Sequence, residues 1–216
     1  MKKGIIIGAI ITILIFLVSA YISIFYIKDF KNYYSNEDFD IEKYISTIDK
    51  DGDGIDDQTD ILNNVREYIS KNPKYKSQYY NTGYPNDEYG VCTDVIAFGC
   101  LGAGYNLMEL VNEDIMANLQ NYNIEKIDKN IDFRRVKNLK VYLDNNTISL
   151  TTDIYDIDKW QGGDIIVFEK HIGIVSDKRN SKGIPYVIHH ANPYQLSYEE
   201  DFLEYRNDIV GHYRIS

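Results

Sequence analysis

The sequence predicts an α+β domain behind an N-terminal membrane-spanning helix. Three observations carry that prediction: an uncharged apolar run at the start, helical periodicity through the middle, and strand-like alternation between tight turns at the end. Of the 216 residues, 44% are hydrophobic and 26% charged, which suits a globular domain rather than a disordered chain. Acidic residues outnumber basic ones 33 to 23, for a net charge of −10. That balance repels phosphate backbones, and Lys and Arg form no patch, so nucleic acid is not an expected partner.

Residues 4–27, GIIIGAIITILIFLVSAYISIFYI, carry no charge and reach the roughly 20 residues that a bilayer core requires. Lys2 and Lys3 before them favour a cytoplasmic N-terminus. Residues 1–28 are therefore expected to be a single-pass anchor, with the C-terminal domain outside the cytoplasm at the cell membrane. A cleaved signal is the competing expectation, because Val18-Ser19-Ala20 suits cleavage and would give a secreted protein. Residues 29–48 are polar and aromatic and read as a juxtamembrane spacer.

Residues 49–60, DKDGDGIDDQTD, have the spacing of a calcium loop. Asp49, Asp51 and Asp53 stand at positions 1, 3 and 5, Gly54 at the sharp turn, and Asp57 and Asp60 at positions 9 and 12. Ile55 would offer its backbone carbonyl at position 7. Alternate aspartates supply the hard oxygens that Ca²⁺ takes, so a structural calcium ion is the expected cofactor.

The main domain is expected over residues 61–216. Ile61, Leu62, Val65, Tyr68 and Ile69 share one helical face, and a buried helix is expected from near Cys92 through Val95, Ile96, Phe98 and Leu101. Asn106, with Glu109 three positions on, has the pattern of a capping box for the next helix. A further helix is expected over 132–143. After Trp160 the period changes to two short strands, 165–168 and 172–175, then PYVIHH and a closing GHYRIS. Helices followed by an antiparallel sheet make the α+β class.

Two cysteines do not make a disulfide framework. Cys92 and Cys100 lie on one expected helix, roughly 12 Å apart by helical rise, beyond the about 7 Å that a disulfide spans. Cys100, between apolar neighbours, reads as a small core residue. Cys92 opens its helix, where the dipole and free N–H groups favour a thiolate. Three of the four histidines, His171, His189 and His190, fall in the strand region. An imidazole on a neighbouring strand can take the thiol proton, and a second polar residue can orient it. His212 reads as structural.

A cysteine at a helix start, then GD-strand-HIGIV-strand-His, resembles the NlpC-type branch of the papain-like cysteine peptidases and amidases. More closely, YP…GVCTDVI, NIDFRRVKNL, GDIIVF…HIGIVSDKR, IPYVIHH and GHYR resemble the bacterial domain-of-unknown-function family numbered 1287. The resemblance implies a papain-like Cys/His hydrolase fold with Cys92 as nucleophile, His171 as base and His189 as the third, polar residue. Val91 stands where better-known NlpC-type enzymes have Asp, with Asp94 two positions after the cysteine. Phe133 replaces a histidine of many relatives, and His190 replaces the usual Asn, which leaves His189 and His190 as alternatives.

The expected function is a membrane-anchored cysteine hydrolase cutting amide bonds outside the cell, with peptidoglycan peptides as substrate. The competing expectations are a calcium-stabilised module that binds wall fragments or a partner without chemistry, and an acyltransferase using the same site. The Cys92 backbone N–H is the expected first oxyanion donor, with Tyr79, Tyr80 or Tyr84 as the second. Asp114, Arg134 and Arg135 are expected either to line a polar cleft or to form structural ion pairs. Nothing in the sequence fixes an oligomeric state.

Overall fold

The computed structural model describes residues 11–21 and 33–216, which fall in two units, Met1–Tyr33 and Tyr34–Ser216. The first unit contributes one apolar helix, α1 (Ile11–Tyr21). Among the described residues no single helix is long and apolar enough to cross a membrane. Residues 4–10 and 22–27 of the expected span, and 29–32 of the spacer, lie outside the described residues.

The second unit is α+β, with helices preceding an antiparallel sheet. Its helices are α2 (Asp57–Ser70), α3 (Cys92–Gly102), α4 (Leu107–Ala117), α5 (Lys129–Asp132) and α6 (Val136–Asn146). Two short strands, β1 (Lys74–Tyr75) and β2 (Tyr89–Gly90), pair in parallel between α2 and α3. The main sheet contains β3 (Ile148–Ser149), β4 (Ile165–Phe168), β5 (Ile172–Arg179), β6 (Pro185–Ile188), β7 (Glu199–Glu200) and β8 (Ile209–Arg214). Its order is β3-β8-β4-β5-β6-β7, and every neighbouring pair is antiparallel.

Helix α2 buries Ile61, Leu62, Val65 and Tyr68, the face expected from its spacing. It starts earlier than the periodicity indicated, because the Asp56 carboxylate accepts the Thr59 N–H and caps it. On α3, a side chain at Gly99 would begin 2.4 Å from Val65 Cγ2, so glycine is what lets α3 lie against α2. Asn106 does precede α4, but the expected capping box does not form. The Asn106 amide oxygen accepts from the Tyr84 hydroxyl, and Glu109 pairs with Lys129 at 3.0 Å. The helix expected over 132–143 is broken between α5 and α6. The chain becomes extended at Arg135, just after Arg134, whose side chain is bonded to the buried Asp94.

Strand β4 is buried at every position, and its alternation shows why. Ile165 and Val167 join the helices in the larger core. Ile166 and Phe168 join Trp160, Val175, Val187 and Leu203 in a smaller one on the other face. The sheet is thus covered on both sides, which removes the solvent-facing positions that alternation depends on. Asp164, wholly buried before β4, ties the halves together. It accepts from Gln58, the Gln161 backbone, His212 at 2.9 Å and both arms of Arg214. His212 stacks on Trp160 with centroids 3.7 Å apart, which is the structural role expected for it.

The spacer is part of the fold from Tyr34 onward. Tyr34 pairs its backbone with Arg179 in both directions, at 2.8 and 2.7 Å. Asn36 accepts from the buried Arg179 side chain at 2.7 Å and donates to Gln161.

Candidate active site

Cys92 is the first residue of α3, and three contacts fix that helix start. Tyr75 in β1 pairs with Gly90 in β2, which aligns the segment leading into the helix. The Asp94 carboxylate accepts the Val91 N–H at 2.8 Å, supplying the acidic half of a capping box whose other half valine lacks. Asp94 is itself gripped by Arg134 through two parallel bonds of 2.7 and 2.8 Å, with both side chains buried. Arg134 also donates to the Gln78 carbonyl at 2.8 Å. Arg134 is therefore structural. Arg135 is exposed near Asp132, and Asp114 accepts from Tyr122, Asn118 and Asn145, so these residues do not form one cleft.

The sheet supplies the imidazoles. His171 precedes β5 in the tight turn from β4, where its carbonyl accepts the Phe168 N–H. His189 follows β6, the neighbour of β5. His171 Nε2 and His189 Nδ1 lie 2.8 Å apart, and His189 Nε2 lies 3.0 Å from Glu200 Oε2 in β7. With Glu200 ionised, these bonds fix both tautomers. His189 Nε2–H donates to the carboxylate, His189 Nδ1 accepts from His171 Nε2–H, and His171 Nδ1 is left with a lone pair. His171 Nδ1 makes no hydrogen bond among the described residues. Glu200 was absent from the sequence reading, since only its pairing beside Ile188 and Val187 brings it to His189.

Of the two adjacent histidines, His189 is the one bonded to His171. Alternation sends His190 to the other face, between the rings of Tyr75 and Tyr198, each centroid 5.2 Å away.

Cys92 meets the sheet where β5 begins, and the Ile172 backbone N–H points at its sulfur. Among the described residues no hydrogen bond joins Cys92 to His171. Burial pushes the thiol up to about 11, and the N–H groups of Ile172 and Thr93 offset only part of that. Burial, aided by the nearby Arg206 charge, brings His171 down to about 4. Burial and the facing His171 bring His189 to about 3. The thiolate expected from the helix start is thus outweighed by desolvation, and the resting site holds a thiol beside neutral imidazoles. Cys100 is fully buried, as expected.

None of the three tyrosines expected as an oxyanion donor has its hydroxyl placed for that role. Tyr80 donates to Asp87 at 2.7 Å, Tyr84 donates to Asn106, and Tyr79 is exposed near Asn130. A further phenol, Tyr75, pairs its backbone with Gly90 two residues before Cys92, and burial first and Cys92 second raise its pKa. Its position comes from the β1–β2 pairing, which leaves no periodicity in so short a strand.

In the acidic loop, Asp49, Asp51 and Asp53 each bring an oxygen within 4.8 Å of the others. The loop winds around Asp49, which accepts the N–H groups of Gly52, Asp53 and Gly54. Ile55 lies in the same turn, its N–H donating to Asp53 at 2.8 Å. Asp60 is not part of that group: its carboxylate accepts from Asn64 at 2.8 Å, and its pKa is raised by burial and then by Asp53 and Asp51. Nor is Asp57. Its carboxylate accepts from the Lys50 N–H and the Tyr105 hydroxyl. Three carboxylates come together as oxygen donors of the kind that suits Ca²⁺.

A family model described as domain of unknown function DUF1287 matches residues 62–215. The uncharacterized protein YijF of Escherichia coli (strain K12) is 33% identical over 167 residues, covering 71% of this chain and 80% of that protein. No solved structure matches the chain.

Proposed function

The chain belongs to the DUF1287 family, and from the site it carries we propose that it is a membrane-anchored cysteine hydrolase of the NlpC type. It cuts amide bonds outside the cytoplasm, with peptidoglycan peptides as substrate. The observation that supports this best is the His171–His189–Glu200 chain set beside a helix-start cysteine.

As Cys92 Sγ attacks the amide carbonyl, its proton passes to the lone pair of His171 Nδ1, and a C–S bond forms. The imidazolium that results is stabilised through His189 by Glu200. The Cys92 backbone N–H and the Tyr75 hydroxyl serve the oxyanion. His171 returns the proton to the leaving amine as the C–N bond breaks, leaving a thioester. Water, deprotonated by His171, then releases the acid and restores the thiol. An amine in place of that water would make the same site an acyltransferase. Because the thiol is neutral at rest, proton transfer accompanies attack rather than preceding it.

Calcium in this reading is structural. Asp49, Asp51 and Asp53 would hold it, with the Ile55 carbonyl, and its charge would offset their mutual repulsion. The raised Cys92 thiol favours a second reading, a calcium-stabilised module that binds wall fragments without chemistry.

The test is to incubate purified full-length protein with muropeptides and follow their masses. Hydrolysis adds one water across an amide, and both Cys92→Ala and His171→Ala should abolish it. Unchanged muropeptides, or equal conversion by Cys92→Ala, would leave the binding module.

A further inference from the structure

A groove of about 450 Å³ runs between β1 and the 191–198 segment, walled by Tyr75, Tyr198, Asn192 and Pro193, with His190, the chain neighbour of His189, at its base. Two features distinguish it. His190 is 3% exposed, yet neither ring nitrogen has a hydrogen-bond partner among the described residues, and Nδ1 is fully shielded. Buried polar side chains are nearly always hydrogen-bonded, so a partnerless imidazole marks a place where the fold leaves a polar contact for a ligand. The second feature is charge. In a chain with 33 acidic residues the groove wall contains no carboxylate, and its one cation, Lys74, is already paired with Glu88 at 2.8 Å. The wall offers a donor instead, from the Asn192 amide.

We propose that this groove is a substrate subsite for a peptide segment bearing a free carboxylate, and that His190 is its specificity-determining residue. The proposal rests on Cys92 being the nucleophile. With Nδ1 shielded, a neutral His190 donates its Nε2–H to the carboxylate, and the Tyr75 and Tyr198 rings hold the imidazole edge-on from both sides. Tyr75 joins the subsite to the start of α3, since it pairs with Gly90, two residues before Cys92. The two consecutive histidines then divide the work. His189 orients the base, and His190 selects the substrate.

Binding is measured by calorimetry with full-length Cys92→Ala protein, so that chemistry plays no part. The probes are a synthetic stem tetrapeptide and the same peptide with every carboxylate converted to carboxamide. The free acid should bind about tenfold more tightly, the scale of one charge-assisted hydrogen bond. His190→Phe keeps the ring packing and should bring both peptides to the weaker affinity. Equal affinities for acid and amide, or no binding of either, would overturn the proposal without any variant at this position. If His190→Phe melts early, His190→Asn in the same comparison decides the residue's part. Unchanged discrimination in a folded variant would remove His190 from it. Loss of the Cys92 reading would show separately, as unaltered muropeptides with the wild-type chain.

Discussion

Removing the Arg134 guanidinium tests how the cysteine is held in place. Arg134→Met keeps most of the aliphatic stem but strips Asp94 of both charge-assisted bonds, 2.7 and 2.8 Å long, where the carboxylate is fully buried. Losing one partner of a buried pair costs about 3–5 kcal/mol, because a charge stays in the interior uncompensated. The bond to the Gln78 carbonyl is lost with it, adding about 1 kcal/mol. A domain of this size loses about 2–4 °C of melting temperature per kcal/mol. A drop of about 8–24 °C is therefore expected for full-length protein at pH 7, followed by near-ultraviolet circular dichroism. Adding Asp94→Asn removes the stranded charge, so the double variant should lose clearly less than the two single losses combined. A fall of under about 2 °C for Arg134→Met would refute the assignment of this pair as the support of the α3 start.

Three further outcomes follow from the same geometry. Free calcium at a hundredfold excess over Kd should stabilise the folded chain by about 2.7 kcal/mol, and Asp51→Ala should abolish the shift. Asp57→Asn should retain it, since that carboxylate serves Tyr105 and Lys50; identical melts in calcium and chelator would remove the ion from the account. Iodoacetamide should label Cys92 alone and slowly below pH 8, with the rate still rising above pH 9, because burial holds the thiol high; fast labelling at pH 6 would instead reveal a preformed thiolate pair. Acid should destabilise the fold from about pH 6.5 downward. His171 and His189 are depressed to about 4 and 3 in the folded chain, so the unfolded chain binds more protons in that window, and stability rises with pH there. Urea titrations at pH 7 and pH 5 check this, and equal midpoints would contradict it.

Much of this fold was legible in the sequence because its helices are one-sided. The face of Ile61, Leu62, Val65 and Tyr68 and the start of α3 at Cys92 followed from spacing alone. The break at Phe133 did not. It depends on Arg134 turning inward to a carboxylate 40 positions earlier, a contact that local periodicity does not encode. Among site residues, His171 and one of the two adjacent histidines, His189 or His190, were expected from the family resemblance, whereas Glu200 and Tyr75 were missed. Both sit on two-residue strands whose places are set by partners distant in sequence. The thiol's ionisation was misjudged for a related reason. A helix start is visible in a sequence, but the burial that outweighs it comes from packing against β5.

The central claim is that Cys92 forms a covalent bond to its substrate. Full-length protein mixed with a stem peptide, quenched in acid within the first turnover and digested, gives the answer by mass spectrometry. The account predicts an acyl adduct on the peptide that contains Cys92, equal in mass to the acyl portion of the substrate and absent from Cys92→Ala. Cleavage products appearing at the same rate from Cys92→Ala, or peptide bound to wild type with neither adduct nor product, would contradict it.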